Sequence, residues 1–550
     1  MTSRIHRRVT LATLGLLALA PISPAQPAAV PDPQIDAVFR RWDSASTPGC
    51  TIGVSRDGSP LRLRAYGMAD LEHGVANRPD SVIEAGSVAK QFTAAAVLLL
   101  VQQGKVALDD PARKYIPELP DYGMPLTIRH MLTHTSGLRD WGSIQGIVGW
   151  PRTSRAYTHA HVLDIVSRQR ALNFPAGTAY SYSNTGYNLA AILVSRVSGK
   201  SFADFTREHI FEPLGMSRTS WRDDFTRVVP DRSIAYRVSP RGAAMDMPFE
   251  DVHGNGGLLT TVGDLLKWSE NEVDLKVGGR ALVDLQRETM TLASGAKIDY
   301  AFGLQVSAWR GVPEVSHSGS TAGYRAWLAR YPTKGMSVAV LCNAGNAPAP
   351  DLGHSVAANL LALPDETVTQ IKTDAAILAP VAGLYRDRRR NDVMTIRHEG
   401  GQLRMDGRGA LSAVSNDSFR MGAGAARLDL ERDSQGAVRG FRVTSGGEVL
   451  GFDRMEPARP SALDLAAYAG EYVSDEAELT LRVTAQDGAL TIHRRPETKI
   501  TLTPTFKDAF TSELGGIQFL RDARGAVKEM SVSQARVWDL RFQKTRVPRS

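Results

Sequence analysis

A chain of 550 residues is too long for one ordinary domain, and two or three are expected. With 43% apolar and 22% charged residues it can build a sizeable core, which excludes a disordered or fibrous protein. The net charge of +7 comes without the dense basic cluster that a nucleic-acid partner requires, and it reads as a solvated surface.

The N-terminal segment reads as an export signal. Arg4, His6, Arg7 and Arg8 form a basic start, and Val9 to Ala20 is an apolar run, shorter than the roughly 20 residues that span a bilayer. Ser23-Pro24-Ala25 offers small residues to a signal peptidase, so residues 1–25 are assigned to a signal peptide cleaved before Gln26. An N-terminal membrane anchor is the alternative reading. Arg7-Arg8 also leaves twin-arginine export open, although the residues after it fit poorly. No cysteine near the cleavage site offers a lipid anchor, and no later run is long and apolar enough for a transmembrane helix. The expected location is periplasmic or secreted, without stable membrane insertion after cleavage.

Residues 26–363 alternate helical and strand-like segments. Ile35, Val38, Phe39 and Trp42 place one apolar face on a helix over Pro33–Ser44. Thr51–Ser55 and Leu61–Tyr66 read as strands joined by a turn at Asp57-Gly58. Gln91–Gln103 and Tyr187–Val197 read as helices, and Val315–Ser318, Tyr324–Tyr331 and Met336–Cys342 as further strands. Strands at both ends and helices between them predict one α/β domain whose sheet is built from the two chain ends. A closing helix over Asp351–Leu363 ends it, and residues 364–375 read as a linker. Cys50 and Cys342, the only cysteines, both lie in strand-like runs and are expected as buried free thiols. One bridge remains open in an oxidising compartment.

The tail changes character to short alternating strands and Gly-centred turns, and it contains a repeat. Ala382-Gly383-Leu384-Tyr385 matches Ala469-Gly470-Glu471-Tyr472, an offset of 87 residues, and Gly401-Gln402-Leu403 matches Gly488-Ala489-Leu490. Asp417-Ser418-Phe419 pairs with Asp508-Ala509-Phe510, and Arg432-Asp433 before Gly436 pairs with Arg521-Asp522 before Gly525. Such a period is a domain length, so residues 376–457 and 458–550 are expected to be two similar antiparallel β modules, each closed into a barrel.

Three polar constellations carry the chemistry. Ser87-Val88-Ala89-Lys90 precedes the apolar segment Phe92–Val101, which reads as a helix buried on all sides. Lys90, three residues on from Ser87, shares its face, and burial would favour the neutral amine and let it accept a proton. Tyr182-Ser183-Asn184 lies in a turn-rich run and supplies a phenol and a carboxamide. His317-Ser318-Gly319-Ser320 reads as a strand. There His317 would supply a donor or positive charge, Gly319 would admit a substrate backbone, and the Ser320 N–H would face an oxyanion. His130 and His134 have the spacing of helical zinc ligands, but Met131 stands where a zinc peptidase carries Glu, so no metal or other cofactor is assigned.

These motifs, with Leu132–Leu138 (LTHTSGL) and Gly256–Thr261 (GGLLTT) between them, resemble the penicillin-recognising serine hydrolases over roughly residues 32–360. That superfamily includes class C β-lactamases, D,D-carboxypeptidases, D-aminopeptidases and esterases, and the two β modules make the D-aminopeptidase layout the most similar. The resemblance implies a β-lactamase-like domain, an antiparallel sheet flanked by helices, followed by two eight-stranded barrels. It implies Ser87 as acylated nucleophile, Lys90 as its proton-handling partner, Tyr182 as general base and later acid, and Asn184 as orienter of substrate. It also implies His317 and Gly319 as the third motif, with the N–H groups of Ser87 and Ser320 as the oxyanion hole. Class C β-lactamases carry Lys at the position of His317, so the departure shifts the expected substrate from β-lactams to a peptide or amide. A carboxylesterase using the same Ser87 is the alternative, and a non-catalytic sensor of cell-wall fragments is the alternative from another class.

Overall fold

Runs of alternating or β-branched apolar residues form the central sheet. A computed structural model describes residues 32–57, 61–152, 154–364, 371, 374–421, 426–445 and 448–545. The assigned signal peptide, most of the linker and part of the turn at Asp57-Gly58 lie outside the described residues. The sheet strands are β1 (Cys50–Arg56), β2 (Arg62–Tyr66), β3 (Gln305–Trp309), β4 (Val312–Thr321), β5 (Tyr324–Tyr331) and β6 (Met336–Cys342). Their order is β3-β4-β5-β6-β1-β2, antiparallel throughout, so the two chain ends of the domain meet where β1 pairs with β6.

Side-chain alternation sorts this sheet into two faces. Ala326, Leu328, Ala339 and Leu341 join the core that contains α2 (Lys90–Gln102), α3 (Asn184–Ser198) and α4 (Val262–Asp274). Trp327, Ala329, Val338 and Val340 face α1 (Pro33–Phe39) and α5 (Ala349–Leu361) instead. The N-terminal helix is shorter than its periodicity predicts and tightens into a 3₁₀ turn over Arg40–Trp42. The expectation of free thiols is corrected. Cys50 and Cys342 stand directly opposite each other on β1 and β6 and form a disulfide.

After the linker come two closed antiparallel barrels of eight strands, spanning 383–455 and 470–544. The repeated residues are the ones that shape them. The hydroxyls of Tyr385 and Tyr472 each donate to the carbonyl four residues earlier, Val381 and Tyr468, at 2.6 and 2.7 Å. Arg432 pairs with Asp417 in the first barrel and Arg521 with Asp508 in the second, and each guanidinium also donates to the turn glycine, Gly436 or Gly525, at 2.9 Å.

The second barrel is seated on the N-terminal α/β domain by buried polar contacts. Arg139 is nearly inaccessible and donates to Glu476 at 2.6 Å and to the Asp539 carbonyl at 3.0 Å. Trp538 packs on Phe174, and its backbone N–H donates to Asn173 Oδ1 at 2.8 Å. Replacing Arg139 with Ala removes the charge opposite Glu476, leaving it the Arg170 N–H at 2.8 Å. That change is expected to cost about 3 kcal/mol, the scale of breaking a buried pair. Denaturant unfolding together with limited proteolysis of the second barrel checks this.

Candidate active site

The short strand Ile83–Glu84 ends in a tight 3₁₀ turn over Gly86–Ala89, and this turn carries Ser87 into the start of α2. Gly86 adopts a left-handed φ of 50°, and a Cβ there would lie 2.6 Å from the Ser320 nitrogen. Strand β4 therefore presses directly against the nucleophile turn. Gly319 is needed for the same close approach, since a Cβ on it would sit 2.0 Å from the Ala85 carbonyl oxygen. The Cβ side of Gly319 is thus filled by the protein's own backbone, while the residue still borders the cleft.

Lys90 is fully buried at the first position of α2. Its Nζ lies 3.1 Å from Ser87 Oγ and donates to Asn184 Oδ1 at 2.9 Å and to the Asn255 carbonyl at 2.7 Å. Burial pushes the amine well below the ordinary lysine range, and the nearby Arg536 and Arg152 push the same way, against Asp140. Asn184 is held in place by its backbone N–H, which donates to Asp140 Oδ2 at 2.7 Å. The same carboxylate caps the next helix through Ser143 N–H at 2.9 Å, so one aspartate fixes two helix starts.

The Tyr182 ring lies beside the amine, 4.8 Å from Lys90 Nζ to the ring centroid. His134 packs on the ring at 4.1 Å and accepts the Ser183 N–H on Nδ1 at 3.2 Å, which sets the backbone beside Tyr182. Burial raises the Tyr182 phenol above its usual range, with Ser87 and Arg536 acting in the opposite direction. The resting phenol is therefore protonated. The zinc-like spacing of His130 and His134 is not realised as a helix face, because that helix runs only over Ile128–Leu132. His130 Nδ1 accepts the Thr127 N–H at its N-cap.

His317 is buried, and its pKa is pushed down to about 3, mainly by burial and also by Lys90. Its Nδ1 lies 2.6 Å from the Ser318 carbonyl and its Nε2 lies 2.8 Å from the Tyr300 hydroxyl. A carbonyl can only accept, so Nδ1 carries the proton and Nε2 accepts from Tyr300. In this arrangement both ring nitrogens of His317 are engaged by protein groups, and neither is a free donor to the cleft.

All seven residues singled out from sequence line or underlie one cleft of about 760 Å³. Ser87, Tyr182, Asn184, His317, Gly319 and Ser320 are on its wall, and Lys90 lies directly beneath. Sequence reasoning missed Asn255, Tyr300, Arg152, Asp299, Glu448 and Arg536, which also line it. Asn255 stands beside Gly256-Gly257, already noted as a motif, and that was the available signal. Glu448 and Arg536 come from the first and second barrels, and no local pattern marks either.

A buried lysine against a serine hydroxyl, with a tyrosine and an asparagine around the pair, defines a serine hydrolase of the penicillin-recognising superfamily. The sequence model of the β-lactamase family matches residues 35–362, and the chain belongs to that family. It is 28% identical to a D-aminopeptidase of Cereibacter sphaeroides over 471 residues, covering 82% of this chain and 86% of that protein. It is also 28% identical to a penicillin-binding protein of Bacillus subtilis over 303 residues, 51% of this chain and 65% of that protein. Among solved structures it resembles the octameric penicillin-binding protein homologue from Pyrococcus abyssi, with a TM-score of 0.54 and 22% identity over 83% of this chain and 96% of that one. The D-amino acid amidase of Ochrobactrum anthropi SV3, crystallised with L-phenylalanine amide, matches with a TM-score of 0.51 and 23% identity over 60% of this chain and 97% of that one.

Proposed function

We propose that the protein is a peptidase or amidase of D-aminopeptidase or D,D-peptidase type, working through an acyl-enzyme on Ser87. The observation that carries this reading is the coordination of Lys90 Nζ. A neutral amine has two N–H bonds and one lone pair. The Asn184 carboxamide and the Asn255 carbonyl take both N–H bonds, so the lone pair is left for the Ser87 O–H.

The steps follow from that arrangement. In this reading Lys90 takes the base role that the resemblance implies for Tyr182, whose raised phenol keeps its proton at rest: Ser87 Oγ attacks the carbonyl carbon while its proton passes to Lys90 Nζ. The N–H groups of Ser87 and Ser320 receive the oxyanion. As the tetrahedral intermediate collapses, the Tyr182 hydroxyl protonates the leaving nitrogen and is itself reprotonated by the Lys90 ammonium. Water then attacks the acyl-enzyme along the reverse proton path and releases the acid. Two observations support an amide substrate: His317 holds no permanent charge of the kind expected for β-lactams, and relatives matched over four-fifths of this chain are D-aminopeptidases. The same reading places the enzyme outside the cytosol, supported by the basic-apolar N-terminal segment and by the Cys50–Cys342 bridge.

Two measurements on purified protein test this. A fluorophosphonate should add one adduct, mapped by mass spectrometry to the peptide containing Ser87. A panel of D-alanyl amides and short acyl esters should show turnover of the amides. An unlabelled protein would leave the sensor reading, and ester cleavage without amide turnover would establish the carboxylesterase instead.

A further inference from the structure

The hairpin joining the last two strands of the second barrel, Val527–Gln534 and Val537–Lys544, delivers Arg536 into the cleft. Its backbone is pinned from the hydrolase side. The Arg536 carbonyl accepts the Asp140 N–H and Asn173 Nδ2, both at 3.1 Å, and Trp538 two residues on is wedged against Phe174. The guanidinium itself lies over the Tyr182 ring, 4.7 Å from its centroid, and is half-buried.

No carboxylate among the described residues lies within ion-pair distance of this guanidinium. The acids of the same cleft do not serve it. Glu448 is paired with Arg389 at 3.0 Å, and Asp299, on the same cleft wall, makes no ion pair with Arg536. Arg152 contrasts with Arg536, because its charge is answered by the buried Glu250. A cation held half out of water by a rigid hairpin, without an anion, is an incomplete arrangement that an incoming anion completes. Because the hairpin is already fixed, little ordering cost offsets that contact.

We propose that Arg536 is the docking group for a substrate carboxylate, so that the second barrel selects acyl donors carrying a free carboxylate near the scissile bond. This rests on the Ser87 acyl-enzyme reading for the position of that bond. A guanidinium matches a carboxylate with two parallel N–H donors, and the neighbouring Tyr182 ring holds the fork on one side. The carboxylate can belong to the leaving amino acid or to the side chain of the acyl residue, and the chemistry at Arg536 is the same.

The test uses the full-length Ser87→Ala protein, so that binding is read without turnover. Calorimetry compares N-acetyl-D-alanyl-D-alanine with its C-terminal amide, and D-glutamyl-D-alaninamide with D-glutaminyl-D-alaninamide. In one pair or the other the carboxylate form is expected to bind about 10- to 100-fold tighter, the worth of a charge-assisted hydrogen bond. The pair that shows the preference identifies its source. Arg536→Gln should erase that ratio and Arg536→Lys should keep part of it. Equal binding of acid and amide in both pairs would overturn the proposal, and so would a preference that survives Arg536→Gln. Because the ratio is already read with Arg536 intact, misfolding of a variant cannot rescue the idea. Peptide hydrolysis that persists in Ser87→Ala would sink the acyl-enzyme reading alone, since the binding ratio is measured separately.

Discussion

Lys90→Met is expected to lower the rate of Ser87 acylation by about 10²- to 10⁴-fold, the range lost when a positioned general base is removed. Methionine keeps the length and apolar character of the stem in a fully buried site, so the loss reports the amine rather than a cavity. The two acceptors left behind, Asn184 Oδ1 and the Asn255 carbonyl, would lose their donor, which adds a stability cost on the order of 1–3 kcal/mol for unsatisfied buried groups. Stopped-flow labelling with a fluorophosphonate separates the two effects when read beside a thermal melt. The pH profile supplies an independent sign. Burial lowers the Lys90 pKa, so the neutral, active amine persists as pH falls below the ordinary lysine range, and activity is lost only when pH falls through the lowered value. On the alkaline side the raised Tyr182 phenol stays protonated past the usual tyrosine range. Wild-type acylation should therefore show its lysine limb well to the acid side of about pH 10, and a limb at the ordinary lysine value would refute the neutral-amine role.

Gly319→Ala is expected to reduce kcat/KM by about 100-fold or more, because misplacing a reacting group by an ångström has that effect. The added Cβ would sit 2.0 Å from the Ala85 carbonyl oxygen and 3.1 Å from the Ser87 nitrogen. Both contacts are to backbone, which cannot rotate away as a side chain could. The strand and the nucleophile turn must separate, and with them the two N–H groups proposed for the oxyanion. Overpacking of this kind also costs about 1–3 kcal/mol of stability. Measurement of kcat and KM separately, with a denaturation curve, checks both expectations. A variant with unchanged kcat would show that the turn and strand tolerate separation.

Much of this architecture was legible because it depends on local chemistry. The apolar stretch after Lys90 read as a central helix, and Thr51–Ser55 and Met336–Cys342 read as strands from composition alone. The nearly constant offset revealed two copies of one module, because its repeated Tyr, Asp, Arg and Gly residues are those that tie each barrel together. By contrast, the disulfide, the ring partners of His317 and the close approach at Gly319 were not legible. Each depends on what stands opposite in space: Cys342 across the strand pair from Cys50, Tyr300 against His317 Nε2, and the Ala85 carbonyl against Gly319.

The sequence by itself determined the reacting groups and their order, because Ser87 and Lys90 are three residues apart at a helix start, and Tyr182 and Asn184 flank another. Only the tertiary structure decided their protonation and the composition of the cleft wall. Desolvation of Lys90, Tyr182 and His317 is a property of the packed site, contributed by segments hundreds of residues apart. The reach of Arg536 and Glu448 into the cleft follows from how the barrels dock, and docking rests on scattered contacts such as Arg139–Glu476 that leave no pattern along the chain.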